Sequence, residues 1–184
     1  MGHLLHLEKF LRLKHRCGIA VALTPRLPGK RDLPVAFTPR QLKKYMFLWP
    51  PYLGSGVKIR EFADDGSRVV VTHRPNKLTQ NAVGTAFGGT IMSMTDPFFM
   101  LASMARLGKE YKVWDIRAEV DFVKPGQGTI TADMRIDDDT YALIKEKTED
   151  GQKYLHWFEV DVTDESGETV ARVRRQVYYR RKQK

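Results

Sequence analysis

Cysteine is nearly absent: Cys17 stands alone, which excludes an intrachain disulfide and makes a reducing compartment, the cytoplasm, the expected location. Acidic residues are scarce at the start. Residues 1–50 hold ten Lys and Arg against Glu8 and Asp32, a net +8 out of +9 for the whole chain, so the rest of the chain is nearly neutral. Long apolar runs are missing as well. Residues 18–23 are few and lead into Thr24-Pro25-Arg26 rather than a small-residue cleavage site, which argues against a secretory signal. Residues 91–105 fall short of the roughly 18 that a membrane span needs and contain Asp96 and Pro97. The most telling absence is charge between Lys77 and Arg106, where Asp96 is the only charged side chain. A carboxylate in apolar surroundings must offset its desolvation or accept a raised pKa, which makes Asp96 a candidate catalytic group.

With 184 residues, 42% of them hydrophobic and 10% aromatic, the chain suits one globular domain with a basic N-terminal extension. The extension is placed at residues 1–36 and the domain at 37–184. Within the extension, Leu4, Leu7, Phe10 and Leu11 mark an apolar helical face over residues 3–16 among basic residues. Such a helix can lie on a membrane surface, on nucleic acid or on the domain itself. Two helix candidates split by a Pro-rich stretch do not make a helix-turn-helix, which argues against nucleic acid and leaves a membrane surface open.

Thr38-Pro39-Arg40-Gln41 reads as a capped helix start, with the helix running to Leu48 and stopping before Pro50-Pro51. From Val57 onward the pattern is strands, one helix, then strands. Residues 57–62 and 68–74 form a hairpin around Asp64-Asp65-Gly66. Residues 88–107 form a helix apolar nearly all round, which has to be buried. Then Trp114, Ile116, Ala118, Val120 and Phe122 alternate with Asp115, Arg117, Glu119 and Asp121 as a strand with one wet face. Further strands are expected near 130–136, 141–147, 158–162 and 169–179. The fold class is α+β, a curved antiparallel sheet around one long buried central helix.

The segment Asn81-Ala-Val-Gly84-Thr-Ala-Phe87-Gly88-Gly89, followed by Asp96, resembles the hotdog-fold acyl-CoA thioesterases of the phenylacetate-pathway type. In that family Asn-x-x-Gly-x-x-His-Gly-Gly opens the central helix, and a carboxylate follows nine residues after the His. The pieces Thr95-Asp96-Pro97-Phe98-Phe99-Met100, Val113-Trp114-Asp115 and the run from Gly167 to Val173 extend the likeness over about residues 38–180. The resemblance implies hydrolysis of an acyl-CoA to acid and free thiol with no metal or redox cofactor. It also implies a homodimer or tetramer, with Asp96, Gly88 and Asn81 as catalytic residues. Gly89 would approach the substrate. Read from the residues alone, Phe87, Phe98, Phe99 and Met100 are core side chains, one or two of them lining an acyl tunnel, and Arg172, Arg174 and Arg175 either hold the phosphates of coenzyme A by charge-assisted contacts or stand on a solvated edge strand whose charges deter aggregation. Two departures stand out: Phe87 replaces the His, and Pro97 falls inside the helix.

Physical reasoning reaches the same place. Gly88 and Gly89 let backbone approach a ligand closely, and amides at a helix start favour developing negative charge. In a continuous helix Gly88 and Asp96 lie roughly 12 Å apart, too far for one carbonyl to touch both. The two groups must then come from different subunits of a two-fold dimer. Two alternatives remain open. Asp96-Pro97 also reads as a helix cap and restart. With Phe87 in place of His, the chain could instead be a non-catalytic acyl-CoA or lipid-binding module whose basic N-terminus contacts DNA or membrane.

Overall fold

The computed structural model describes residues 38–183. The helix expected over residues 3–16 and the irregular stretch 24–37 lie outside the described residues. The described chain opens with α1 (Pro39–Tyr45), whose capping box forms as read: the Thr38 side chain accepts from the Gln41 amide, and the Gln41 side chain accepts from the Thr38 amide. A 3-10 turn, Met46–Leu48, follows. Then comes α2 (Pro50–Ser55), which was not expected. The prolines mark its first turn rather than a stop, because the first helical amides need no acceptor. Gly56 ends it in the left-handed conformation, φ 71°.

Next in the chain are β1 (Val57–Phe62), β2 (Arg68–His73), α3 (Gly88–Ser93), α4 (Phe98–Leu107), β3 (Tyr111–Phe122), β4 (Ile130–Arg135), α5 (Asp138–Lys147), β5 (Lys153–Thr163) and β6 (Thr169–Arg181). The six strands form one sheet in the order β1-β2-β4-β5-β6-β3, antiparallel at every pairing. α4 supplies Phe98, Phe99, Leu101 and Ala102 to the core. Its Phe99 ring stacks on Phe158 of β5 at 4.5 Å between centroids, and its Ser103 hydroxyl lies 2.7 Å from the Tyr179 hydroxyl of β6.

Three expectations are corrected. Residues 141–147 belong to α5, not a strand, because Asp137 caps the helix through the Thr140 amide at 2.7 Å and Asp138 and Asp139 favour its positive end. The single helix over 88–107 is two helices, broken between Ser93 and Phe98. The inward face of β3 is also not the one that alternation suggests. A bulge between Asp115 and Arg117 shifts the parity, so Val113 and Asp115 turn inward on one side of it and Ala118 and Val120 on the other. Trp114 consequently lies outside, stacked on Tyr178 with centroids 3.8 Å apart.

Candidate active site

The site grows from the break in the central helix. Pro97 has no N–H, so the Ser93 carbonyl cannot receive the usual helical donor. Instead it accepts from the Asp96 amide at 3.1 Å and from the Tyr52 hydroxyl at 3.3 Å. Tyr52, buried in α2, also donates to the Asp96 carbonyl. Burial, with Asp96 adding to it, raises the Tyr52 pKa well above the phenol range, so the hydroxyl keeps its proton and serves as a donor. The Tyr52→Phe variant is expected to lose about 1–3 kcal/mol of stability through the freed carbonyls, read as a lower urea midpoint with an unchanged slope.

Arg175 of β6 holds the other side of the break. Its guanidinium is 4% exposed and meets the Asp96 carboxylate at 3.1 Å. It also donates to the Met92 carbonyl at 2.6 Å and to the Thr95 hydroxyl at 3.3 Å. Thr95 is buried too, and its hydroxyl donates to the Met92 carbonyl at 3.0 Å. Asp96 is thus not the desolvated carboxylate expected. Its side chain is 51% exposed and is aimed by a buried cation. It does not cap α4, because Pro97 occupies that position.

A second carboxylate, which the alternation concealed, faces this cluster. Both oxygens of Asp115 are buried without a hydrogen-bond partner among the described residues. Desolvation pushes its pKa up to about 6, with Arg175 pulling it down and Asp96 pushing it further up. Arg175 itself was readable. Ala171, Val173, Val177 and Tyr179 alternate as buried residues along β6, and an arginine at 175 falls in their register.

Gly88 and Gly89 open α3 with Phe87 at the cap position. A Cβ on Gly88 would meet the Phe122 ring at 2.8 Å, and one on Gly89 would meet the Phe87 ring at 2.3 Å, so each glycine backbone lies directly beneath an aromatic ring. Gly88 lines a cavity of about 490 Å³ with Asn81, Thr85, Ile91 and Phe122. Gly89 and Phe87 line another of about 370 Å³ with Leu78, Gln80 and Ser93. Asp96 lines neither. The break limits the helical spacing argument to α3, yet within one chain the glycines and the carboxylate still open onto different spaces.

The remaining sequence candidates sort by side-chain contact. The Asn81 side chain is fully used within its loop. Its oxygen accepts from the Val83 and Thr85 amides at 3.1 and 3.0 Å, and its nitrogen donates to the Thr85 hydroxyl at 2.9 Å and the Ala86 carbonyl at 3.4 Å. It therefore organises the loop that delivers Gly88. Phe99 lies in the core, stacked on Phe158, and Met100 packs against the same core. Arg172 and Arg174 belong to cross-strand ion pairs on the outer face. Arg174 bridges Glu119 and Glu159 at 2.9 Å each and lies over the Trp157 ring, while Arg172 faces Asp161 at 3.7 Å. Their charge is balanced by carboxylates on the neighbouring strands, which removes the reason to assign them to a phosphate.

A six-stranded antiparallel sheet with α4 buried against it and an interrupted helix opened by Gly-Gly defines the hotdog fold. The chain belongs to the family described as a domain of unknown function, DUF4442, whose model matches residues 39–179. Among solved structures it is similar to PA5026 of Pseudomonas aeruginosa, described as a protein of unknown function and probable thioesterase. The TM-score is 0.65 at 18% identity, covering 78% of this chain and 93% of that one. It is similar to the thioesterase HI1161 of Haemophilus influenzae, with a TM-score of 0.59 at 15% identity, covering 79% and 92%. It is also similar to PaaI from the phenylacetic acid degradation operon of E. coli, with a TM-score of 0.52 at 19% identity, covering 77% and 91%. No curated protein matches the chain by sequence.

Proposed function

We propose that this protein is an acyl-CoA thioesterase that works as a homodimer or a higher assembly of dimers. The observation that carries the reading is the Asp96 carboxylate, half exposed and fixed by buried Arg175 at the break in the central helix. It sits on a fold shared with proteins described as thioesterases. Asp96 acts as base toward a water molecule: the water oxygen bonds to the thioester carbonyl carbon while its proton passes to the carboxylate. The carbonyl oxygen takes up the negative charge and is held by the Gly88 amide. Collapse of this intermediate breaks the C–S bond, the sulfur leaves with the proton from Asp96, and acid and free thiol result. Asp96 can equally attack the carbon itself, with water releasing the acyl group in a second step.

The two groups meet across a dimer. β3 is an edge strand of twelve residues with Trp114 and Ile116 exposed, a template for pairing with a second copy. Gly88 of one subunit then faces Asp96 of the other, and Asn81 keeps the glycine loop in place.

Thiol release from a panel of straight-chain, branched and aromatic acyl-CoAs tests the reading. Turnover of at least one substrate is expected. Saturable binding with no thiol release from any of them would favour the other reading, an acyl-CoA-binding module, for which the apolar Phe87 in the position of the family His is the specific observation.

A further inference from the structure

Residues 38–60 hold five cations, Arg40, Lys43, Lys44, Lys58 and Arg60, and no acid. Three of them, Lys43, Lys58 and Arg60, line one cavity of about 330 Å³ together with Phe47, Leu53 and Ile59. Beside it Tyr45, Phe47, Leu48, Trp49 and Leu53 stand 47% to 63% exposed. Among the described residues none of the five cations forms a salt bridge. Arg60 donates only to the Thr72 hydroxyl, at 2.9 Å, and the Lys44 ammonium lies over the Tyr45 ring.

We propose that this face, built by α1, the 3-10 turn, α2 and the start of β1, docks on an anionic lipid bilayer. Five large apolar side chains grouped at the surface mark a contact with something apolar. Trp and Tyr suit the zone between headgroups and acyl chains, while leucine and phenylalanine side chains reach the hydrocarbon. Cations unrelieved by any acid are attracted to anionic headgroup phosphates. Charge argues against a second copy as the occupant. A two-fold contact would place this patch against itself and bring five cations of one subunit onto five of the other, with no carboxylate in residues 38–60 to relieve them and the adjacent Glu61 already paired with Arg68. Nucleic acid fits less well: Tyr45, Phe47 and Trp49 have flat faces on which bases stack, but Leu48 and Leu53, the two most exposed of the five, suit hydrocarbon rather than a base. The inference is independent of whether Asp96 hydrolyses anything.

Flotation of the full chain with vesicles tests it, using phosphatidylcholine alone and phosphatidylcholine mixed with phosphatidylglycerol. Binding is expected only to the anionic vesicles and should weaken as salt is raised. The Lys43→Glu/Lys58→Glu variant should lose about tenfold or more of this binding. The Phe47→Ser/Trp49→Ser variant should lose a similar amount with all charges kept, and both should keep the oligomeric size of the wild type. No binding by the wild type, or equal binding to neutral vesicles, would overturn the proposal. Wild-type binding by both variants would assign attachment to residues 1–37 and overturn it equally. So would a change of oligomeric state with vesicle binding intact.

Discussion

The Asp96→Asn variant is expected to lower kcat for thioester hydrolysis by about 10²–10⁴, the usual contribution of a positioned base, with little change in KM or in the unfolding midpoint. The amide is nearly isosteric with the carboxylate, and its oxygen can still accept from Arg175, so the break in the central helix should keep its shape. What is lost is the capacity to take a proton from water. The Arg175→Leu variant makes a useful contrast. It removes the cation from Asp96, the donors from Met92 and Thr95, and the nearest compensation for Asp115. A loss of about 1–3 kcal/mol of stability is expected, because the buried Met92 carbonyl loses its Arg175 donor while the half-exposed Asp96 carboxylate can turn to water. An Asp96→Asn enzyme with the wild-type rate would remove this residue from the chemistry, whatever the fold.

The second large effect concerns Asp115 and the direction in which stability moves with pH. Its carboxyl has a pKa of about 6 in the folded chain against an ordinary 3.8. The folded state therefore binds the proton more tightly than the unfolded one. Stability from this group is fully present below about pH 4 and is lost as pH rises to about 6, by roughly 3 kcal/mol in all. The Asp115→Asn variant should show no such loss. His73 pulls in the opposite sense. It is buried, and burial lowers its pKa, only partly offset by the Gly56 backbone, so it removes stability as pH falls. The informative quantity is consequently the difference between variant and wild type, measured by urea unfolding at several pH values. That difference should move in the variant's favour between pH 4 and 6 and stay flat above. A difference independent of pH would mean that the Asp115 carboxyl titrates alike in the folded and unfolded chain, and would contradict its desolvation.

Much of this site could be read from residue spacing. The glycine pair pointed to a helix start, and α3 opens at Gly88; the carboxylate nine residues past Phe87 is Asp96, whose surroundings the spacing left open. Pro97 warned of the break, because a missing N–H is a local fact that needs no tertiary information. Arg175 falls in the apolar register of β6, yet in sequence it stands beside Arg172 and Arg174 and reads equally as a surface charge. Asp115 was beyond reach. A bulge is decided by pairing with a partner strand, and one inserted residue inverts every inference drawn from alternation. The capping role of Asp137 was lost for a similar reason: Tyr141, Leu143 and Ile144 look like a short strand until the three aspartates before them are read as a helix start. Pro50-Pro51 misled in the other direction, since a proline pair both ends one helix and begins the next.

Complementation between subunits tests the central claim, that one site is completed by two copies. Gly88→Val forces a side chain against the Phe122 ring, which even a Cβ would meet at 2.8 Å, so the Gly88 backbone must shift and the variant should by itself abolish turnover; Asp96→Asn alone should nearly do so. If the two inactive variants are unfolded together and refolded as a mixture, half of the dimers are hybrids, and each hybrid carries one intact site and one doubly defective site. Thiol release should then return to about a quarter of the wild-type rate. A mixture no more active than its two parents would contradict the shared site and place Gly88 and Asp96 in the service of one chain.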